Sequence, residues 1–368
     1  MTGFLGYSGI AALLPVSLLF YFLYGRTQTR AQAAVLAASY FLAASWGLSL
    51  GIATFFDTAL LNGVLLWLSA SLSFTFVFGV VWTRKHEKRR WMVILGTLIM
   101  SVPPFGIVGW ASPLTAAGMM FPGTGFAGLL ALILLIFFLG DARYWKIALP
   151  IALFFGLAGP LWGKTPLPPE NWSSTQTDIL YGAGPDDYDN QYRILKENAA
   201  HLRGKENRLV ILPEGATGWS NRTSQRAWKS ETEFTNTSVL GGAEKRLKSG
   251  QAENLMVYID ADNYQILYRQ RMPVPVSMWR PWSKHGTRAT FYETPVFDLD
   301  GQIVAPLICY EQLLIWPIIQ SAVYNPDVII GISNNWWASE TNIPDIQKVT
   351  LLAWARLFNT KLAIGFNQ

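Results

Sequence analysis

The chain has 368 residues, of which 51% are hydrophobic and only 14% are charged, and its formal net charge is +5. This composition is too apolar for an ordinary soluble protein and favours two parts of different character. Residues 1–164 contain ten Lys and Arg against three Asp and Glu, whereas residues 165–368 contain nineteen against twenty-one. A nucleic-acid-binding protein needs a basic face on its soluble part, so the slightly acidic second part excludes nucleic acid as a partner.

Six apolar stretches occupy the first part and predict a transmembrane domain of about six helices over residues 1–163. A helix needs about 20 apolar residues to cross the hydrocarbon core. The stretches are Phe4–Tyr24, Ala31–Phe56, Ala59–Trp82, Met92–Trp110, Gly118–Gly140 and Ala148–Trp162. A cleaved signal sequence is the alternative for the first stretch, but no basic leader precedes it and five more stretches follow. Pro103-Pro104 and Pro122 predict breaks in the fourth and fifth helices.

Positive charges are confined to alternate loops between these stretches. Nine lie in the first, third and fifth loops and none in the second and fourth: Arg26, Arg30, Arg84, Lys85, Lys88, Arg89, Arg90, Arg143 and Lys146. The positive-inside rule therefore predicts cytoplasmic odd-numbered loops and places everything after Trp162 outside the membrane. A patch for anionic lipid or nucleic acid at Arg84–Arg90 is the alternative interpretation, although topology alone accounts for it.

After the apolar half, the composition changes. Residues 164–180 are rich in proline and polar side chains and are predicted to form a linker or arm. Residues 181–368 alternate apolar runs with amphipathic segments, which predicts an α/β layered domain. The predicted strands are Arg208–Leu212, Leu255–Ile259, Gln265–Arg269, Ala289–Phe297, Ile303–Cys309, Val328–Ile332 and Leu362–Phe366, and the predicted helices are Tyr188–Arg203 and Ile346–Phe358.

Two of these strands end in residues suited to thiol chemistry. Glu214 follows an apolar run, where burial would raise its pKa and make it a better base. Cys309, the only cysteine, ends a second run, and Glu311 stands two places later. A thiol is a useful nucleophile only as thiolate, with a base or cation within reach and a donor for the acyl oxyanion. A packed, unreactive cysteine is the competing interpretation, since neither residue is specific alone.

Other site classes find no support in the sequence. A single cysteine excludes an intrachain disulfide. His86, His201 and His285 lack metal-ligand spacing, and no serine elbow motif accompanies them. No metal or other cofactor is predicted.

Four motifs occur in a recognisable order: LVILPEGATGW, YRQRMPVP, LICYE and PDVIIGISNNWWA, the last followed by a helix with Ala355 and Arg356. Their order and spacing resemble the nitrilase (carbon–nitrogen hydrolase) superfamily, most closely its membrane branch, the apolipoprotein N-acyltransferases, and there the TraB-type conjugal transfer proteins of plasmids. The resemblance implies an αββα sandwich over residues 181–368 behind a helical membrane domain. It also implies the bacterial inner membrane, a periplasmic C-terminal domain, and a further family strand beyond Gln368.

The resemblance also implies roles for individual residues. Glu214 would be the general base, Cys309 the acyl-accepting nucleophile and Glu311 a supporting acid. Tyr310 and Trp337 would border the substrate pocket.

The family's catalytic lysine is the main departure, because Gln270 holds its position and Met278 holds that of a second acid. Glutamine offers only a neutral amide, and loss of one oxyanion donor costs about 10²–10³ in rate. Arg269 and Arg271 flank Gln270 on a strand, so their side chains should point to the other face, and Lys284 lies on a loop-like stretch. All three are expected to be poor replacements for the lysine.

Two functions follow. The first is an integral membrane component of conjugal transfer with weakened or lost catalysis, whose partners are membrane lipid and conjugation-machinery proteins. The alternative is an active thiol-dependent N-acyltransferase or amidase that forms an acyl-enzyme at Cys309, with a phospholipid as an acyl donor.

Overall fold

The computed structural model describes residues 1–141, 143–181, 184 and 186–368, which divide into two compact units. The helical unit comprises Met1–Pro166, Leu313–Trp316 and Trp337–Asn359. The sheet unit comprises Leu167–Gln312, Pro317–Trp336 and Thr360–Gln368. The chain thus passes between the units several times, and not once through a linker at residues 164–180 as the sequence predicts.

Apolar helices build the helical unit. They are α1 (Thr2–Gly6), α2 (Leu19–Tyr24), α3 (Arg30–Ala44), α4 (Leu48–Phe55), α5 (Leu60–Val81), α6 (His86–Ile99), α7 (Ala117–Met120), α8 (Phe126–Leu139) and α9 (Trp145–Trp162), with 3-10 turns at Ala11–Leu18, Phe105–Val108 and Pro113–Ala116. Buried polar contacts cross between them: the Arg89 guanidinium donates to the carbonyls of Gly25 and Thr27 at 2.9 and 2.8 Å. Such bonds satisfy carbonyls that a helix end leaves free.

Two of the six predicted spans form single helices long and apolar enough to cross a membrane among the described residues, α5 with 22 residues and α9 with 18. A third, α3 and α4 together, is bent by 59° at Ser45–Gly47. The other three consist of shorter pieces: Phe4–Tyr24 is partly 3-10, helix α6 ends at Ile99 before Pro103-Pro104, and Gly118–Gly140 is interrupted between α7 and α8. The predicted breaks at Pro103-Pro104 and Pro122 are therefore present, whereas the break within Phe4–Tyr24 and the bend between α3 and α4 were not predicted.

Helix α13 (Ile343–Phe358) belongs to the helical unit, although the sequence assigns it to the second domain. Gly118 of α7 lies directly against the backbone of Ala353, where no larger residue would fit. The Arg356 guanidinium donates to the carbonyls of Gly159 and Pro160 at 3.0 and 3.2 Å, at the end of α9. This close packing and capping hold α13 in the helical unit.

Nine strands build the sheet unit: β1 (Trp172–Thr177), β2 (Leu209–Ile211), β3 (Ser238–Arg246), β4 (Ala252–Ile259), β5 (Tyr264–Arg269), β6 (Phe297–Leu299), β7 (Gln302–Ile308), β8 (Val328–Asn334) and β9 (Lys361–Asn367). Their order is β5-β4-β3-β2-β1-β9-β8-β7-β6. The six central strands pair in parallel, and β4, β5 and β6 pair antiparallel at the two edges. Helices α10 (Tyr188–Ala199), α11 (Arg222–Thr235) and α12 (Ile315–Ala322) connect them.

The sheet folds back on itself, because one core contains residues from both ends of the strand order. Met256 and Tyr268 of β4 and β5 pack in the same cluster as Val304 and Ile308 of β7. A second core lies between the outer face of β2–β4 and the helices, with Trp228 of α11 at its centre. The predicted α/β layered domain is confirmed in this unit.

Several segments differ from the sequence prediction, which did not include strand β3 or helices α11 and α12. Strand β1, the centre of the sheet, lies within the predicted linker, because its sequence WSSTQT is polar and only every second or third side chain is buried. The predicted strand Ala289–Phe297 is mostly irregular, and only Phe297 continues into β6.

Candidate functional site

Three strands of the sheet unit deliver Glu214, Gln270 and Cys309 to one place. Glu214 stands three residues after β2, Gln270 directly follows β5 and Cys309 directly follows β7. The Cys309 thiol and the Glu214 carboxyl share a hydrogen bond. Gln270 Nε2 donates to the carbonyl of Ile308, the residue before the thiol, at 3.0 Å. The structure thus brings together the three positions that the sequence singles out.

Asn254 of β4 links these residues and was missed by the sequence analysis. Its Nδ2 donates to Glu214 Oε1 at 2.6 Å and to Gln270 Oε1 at 3.1 Å. Its Oδ1 is buried and has no hydrogen-bond partner among the described residues. An asparagine at the start of the apolar, buried run of β4 is the signal that marks it, because a buried amide needs partners.

The environment of Glu214 favours a basic carboxyl. Burial raises the pKa of the Glu214 carboxyl, and hydrogen bonds from Asn254 Nδ2, the Asn334 N–H and Cys309 oppose that rise. The Asn334 N–H donates to Oε2 at 3.0 Å. Both carboxyl oxygens are therefore held, which orients the group that would take a proton from the thiol.

Cys309 lies on a strained turn. Its φ of 50° is in the left-handed region, which costs a non-glycine residue free energy and here turns the chain sharply at the end of β7. Burial raises the pKa of the Cys309 thiol well above its ordinary value, and the negative charge of Glu214 raises it further. Hydrogen bonds from Ser333 and the Tyr310 N–H lower it in part. The thiol is consequently protonated at neutral pH.

Gln270 fits its place as a neutral amide. It is 1% exposed, its Oε1 accepts from Asn254 and its Nε2 donates to Ile308. Both halves of the amide are therefore used by neighbours that fix its orientation.

The nearby cations are engaged elsewhere. Arg269 forms ion pairs with Glu253 at 3.5 Å and Glu293 at 2.9 Å. The Arg271 guanidinium is buried and donates to Tyr268, Gln320 and Ser321. Lys284 is exposed. None of the three supplies an ammonium-like partner for the thiol.

Glu311 acts as a brace between β5 and β7. It is fully buried, and its carboxylate accepts from the Tyr268 hydroxyl and from the N–H groups of Arg271, Met272 and Ile308, at 2.7–3.1 Å. Burial raises the pKa of the Glu311 carboxyl, and the Arg271 guanidinium, 4.0 Å away, opposes the rise. With both of its oxygens accepting from these donors, Glu311 is a structural support for the site.

The remaining predicted residues lie as follows. Tyr310 is partly buried, and its N–H is the part that contacts the thiol. Trp337 belongs to the helical unit, where its ring lies against Gly51 and meets Phe55 with ring centroids 6.2 Å apart. Met278 lies in a turn, where its N–H donates to the carbonyl of Val274 at 3.0 Å, and it offers no acid.

The site combines a buried carboxyl group, a thiol whose pKa is raised and a neutral amide. Among the described residues, no three His, Cys, Asp or Glu side chains converge in a way that would hold a metal ion. The chemistry that these groups support is proton transfer from Cys309 to Glu214 and attack of the sulfur on an acyl carbon.

Comparison with known proteins decides the family. The carbon–nitrogen hydrolase model matches residues 248–356, which include Gln270 and Cys309. Over its whole length the chain is 40% identical to the probable conjugal transfer protein TraB of Sinorhizobium fredii (strain NBRC 101917 / NGR234), with 100% of this chain and 96% of that protein aligned. The chain belongs to the TraB family of conjugal transfer proteins.

A second relative agrees with this membership. The conjugal transfer protein TraB of Agrobacterium fabrum (strain C58 / ATCC 33970) is 37% identical over 99% of this chain and 90% of its own length.

Among solved structures, an amidase from Nesterenkonia sp. AN1, with the acetamide moiety of fluoroacetamide added at its active-site cysteine, aligns with 55% of this chain and 78% of its own. That alignment has a TM-score of 0.39 and 14% identity. The predicted resemblance to the nitrilase superfamily and its TraB-type members is confirmed.

Proposed function

We propose that this TraB-family chain is a membrane-embedded component of conjugal transfer whose carbon–nitrogen hydrolase domain has weak or no catalytic activity. The observation that carries the proposal is Gln270, which occupies the position of a catalytic ammonium and is held as a neutral amide by Asn254 and Ile308. Without that charge, burial and Glu214 leave the Cys309 pKa well above its ordinary value. A protonated thiol is a poor nucleophile.

The membrane location is supported by the surfaces of α5 and α9. On α5, apolar side chains at helical spacing are more than half exposed, among them Leu61, Leu65 and Leu72. On α9, Leu157 and Leu161 are 75% and 82% exposed. Apolar surface of this extent would be costly in water and is suited to lipid. The proposed topology follows the nine-to-none distribution of positive loop charges and puts the sheet unit in the periplasm.

An active thiol enzyme is the second candidate, and the retained contact between Cys309 and Glu214 favours it. In this reaction the thiol proton passes to Glu214 and the sulfur bonds to the acyl carbon of a phospholipid or an amide. The leaving group departs with a proton, and the acyl group then moves to an amine or water. The Tyr310 N–H, which already contacts the sulfur, is placed to serve as an oxyanion donor.

A lipid-based thiol probe separates the two candidates. The full chain in lipid is incubated with a phospholipid acyl donor, and acylation of Cys309 is followed by mass spectrometry. Conjugation frequency is measured in parallel for wild type and Cys309→Ser, with Ser249→Ala, at an exposed turn position between β3 and β4, as a control that leaves the site untouched. The proposal expects little acylation and near-normal conjugation with Cys309→Ser. Rapid acylation, together with loss of conjugation in Cys309→Ser alone, would establish the enzyme instead.

A further inference from the structure

One acid near the site has no role in the chemistry described above. Glu244 lies on β3, directly opposite Asn254 of β4 in the antiparallel register. Residues opposite each other in such a pair have their side chains on the same face of the sheet. Asn254 donates from that face to Glu214, so the side chain of Glu244 lies on the Glu214 face as well.

The backbone of β3 is also fastened to the loop that holds Glu214. The Gly242 N–H donates to the carbonyl of Pro213 at 3.0 Å, and the Thr217 N–H donates to the carbonyl of Gly242 at 2.9 Å. A Cβ at Gly242 would overlap the Glu214 Cα, so the two segments are in direct contact. This contact fixes the backbone of β3, and with it the Cα of Glu244 two residues further along, beside the loop that holds Glu214.

The charges around Glu244 do not neutralise it. On its own strand, Arg246 shares its face but reaches outward to Asp186 at 3.3 Å, and Lys245 is on the opposite face. On β4, Glu253 is also on the opposite face and pairs with Arg269 and Arg288. The charged group that acts on Glu244 from the adjoining loop is Glu214, another acid.

We propose that Glu244 is a second, proton-holding acid of the site, which donates its proton to the unpartnered Asn254 Oδ1 and whose ionisation controls the reactivity of Glu214 and Cys309. This inference rests on the proposed role of Glu214 as the base that faces the thiol. Asn254 Oδ1 is a buried acceptor without a partner among the described residues, and a protonated carboxyl on the same face supplies the donor it lacks. Glu244 is thereby a positioning residue.

The protonation of Glu244 changes near physiological pH. Burial first, and then the charge of Glu214, raise the pKa of Glu244 to about 7. Below that pH the carboxyl is neutral and donates to Asn254. Above it, a second negative charge lies beside Glu214 and raises the pKa values of Glu214 and, through it, of the Cys309 thiol. As the pH rises through 7, the alkylation rate of Cys309 should therefore increase less steeply than the rate of an isolated thiol.

Two measurements on the full chain in detergent test the proposal. The first follows the infrared carbonyl stretch of protonated carboxyl groups from pH 5 to 9. It compares the single variant Cys309→Ala with the double variant that carries both Cys309→Ala and Glu244→Gln. A band that disappears around pH 7 only when Glu244 is present is expected. If Glu244 is already ionised at pH 5, the proposal is overturned.

The second measurement is the rate of Cys309 alkylation across the same pH range in wild type and Glu244→Gln. Removal of the like charge should raise the rate at pH 8–9 by about threefold to tenfold and abolish the break near pH 7, with little change at pH 5–6. Glu293→Gln, which removes a carboxylate partner of Arg269 outside the cluster, is the control and should match wild type. Identical profiles for Glu244→Gln and wild type would overturn the coupling. The infrared and alkylation results could be as expected while no acyl transfer is detected. That outcome would count against an active enzyme and not against the role of Glu244.

Discussion

At the scale of single residues, Gln270 lies close to the backbone that carries the thiol. Its amide nitrogen stands 3.0 Å from the Ile308 carbonyl, one peptide before Cys309, so a cation at this place would act on the sulfur at short range. The Asn254 amide is the neighbour that would have to adapt, because it now donates to Gln270 Oε1.

We expect Gln270→Lys to restore thiol reactivity. An ammonium should lower the pKa of the Cys309 thiol and add an oxyanion donor, which together are worth about 10²–10³ in rate. The measurement is the alkylation rate of Cys309 against pH, with acyl-enzyme formation as a second readout. Gln270→Met, similar in length but without charge, should leave the thiol unreactive. Equal rates for Gln270→Lys and wild type would mean that position 270 is not the place where a cation is missing.

The buried contacts of Glu311 predict that its substitution lowers the stability of the protein. Glu311→Gln would leave the buried Arg271 guanidinium without its carboxylate and weaken four hydrogen bonds, at a cost of about 3–5 kcal/mol in the free energy of unfolding. Thermal unfolding of the full chain should show a clear fall. Glu233→Gln, an exposed acid on α11, should change the free energy by less than about 0.5 kcal/mol. Similar stability for both variants would contradict the bracing role.

At the scale of elements, the contact between β3 and the Glu214 loop depends on Gly242. A Cβ at this position would lie 2.5 Å from the Gly215 nitrogen and overlap the Glu214 Cα. Gly242→Ala should therefore displace Glu214 and cost about 1–3 kcal/mol of stability. Gly184, where a Cβ meets nothing within 4 Å, provides the control Gly184→Ala. Thermal unfolding and the alkylation profile of Cys309 are the readouts, and wild-type behaviour of Gly242→Ala would refute the close contact.

Two tryptophans of the segment 276–292 lie in different environments, so mutation can distinguish their roles. Trp279 packs edge-on against Phe291, with ring centroids 5.3 Å apart, whereas Trp282 is 71% exposed. Trp279→Ser should lower stability by about 1 kcal/mol or more, because an aromatic pair is lost. Trp282→Ser should leave stability unchanged and reduce the quenching of tryptophan fluorescence by brominated lipid in the reconstituted full chain, since tryptophan favours the lipid interface. Unchanged quenching would rule out a lipid contact at Trp282.

At the scale of the whole molecule, the membrane topology is open to direct measurement. An alkaline phosphatase fusion after Pro166 should be active, because the distribution of positive loop charges predicts that this point lies outside the cytoplasm. A matched fusion after Lys85, in the third loop, should be inactive. The reverse pattern, or activity of a cytoplasm-only reporter after Pro166, would invert the proposed topology.

Two of the positive loop charges also take part in packing, since Arg90 and Arg143 pair with the buried Asp141 at 3.5 and 3.2 Å.

Local sequence by itself determined several elements. The strands that precede Glu214, Gln270 and Cys309 were predicted to within three residues at their N-terminal and C-terminal ends, because continuous apolar runs between turn residues are a local signal. The helices at residues 188 and 346 were found because their apolar residues recur at helical spacing, which is also a local signal. The family motifs also determined which residues to examine at the ends of those strands.

The tertiary structure decided the rest. Strand β1 is polar and β3 contains Gly241-Gly242, so their place in the sheet depends on neighbours that are distant in sequence. Helix α13 is amphipathic by sequence, but Gly118 and the carbonyls after Gly159 decide which unit it joins. The roles of Asn254 and Glu244 likewise appear only when β3 and β4 pair in register beside Glu214. Periodicity reports which face of an element is buried, whereas the identity of its partner depends on contacts between distant segments.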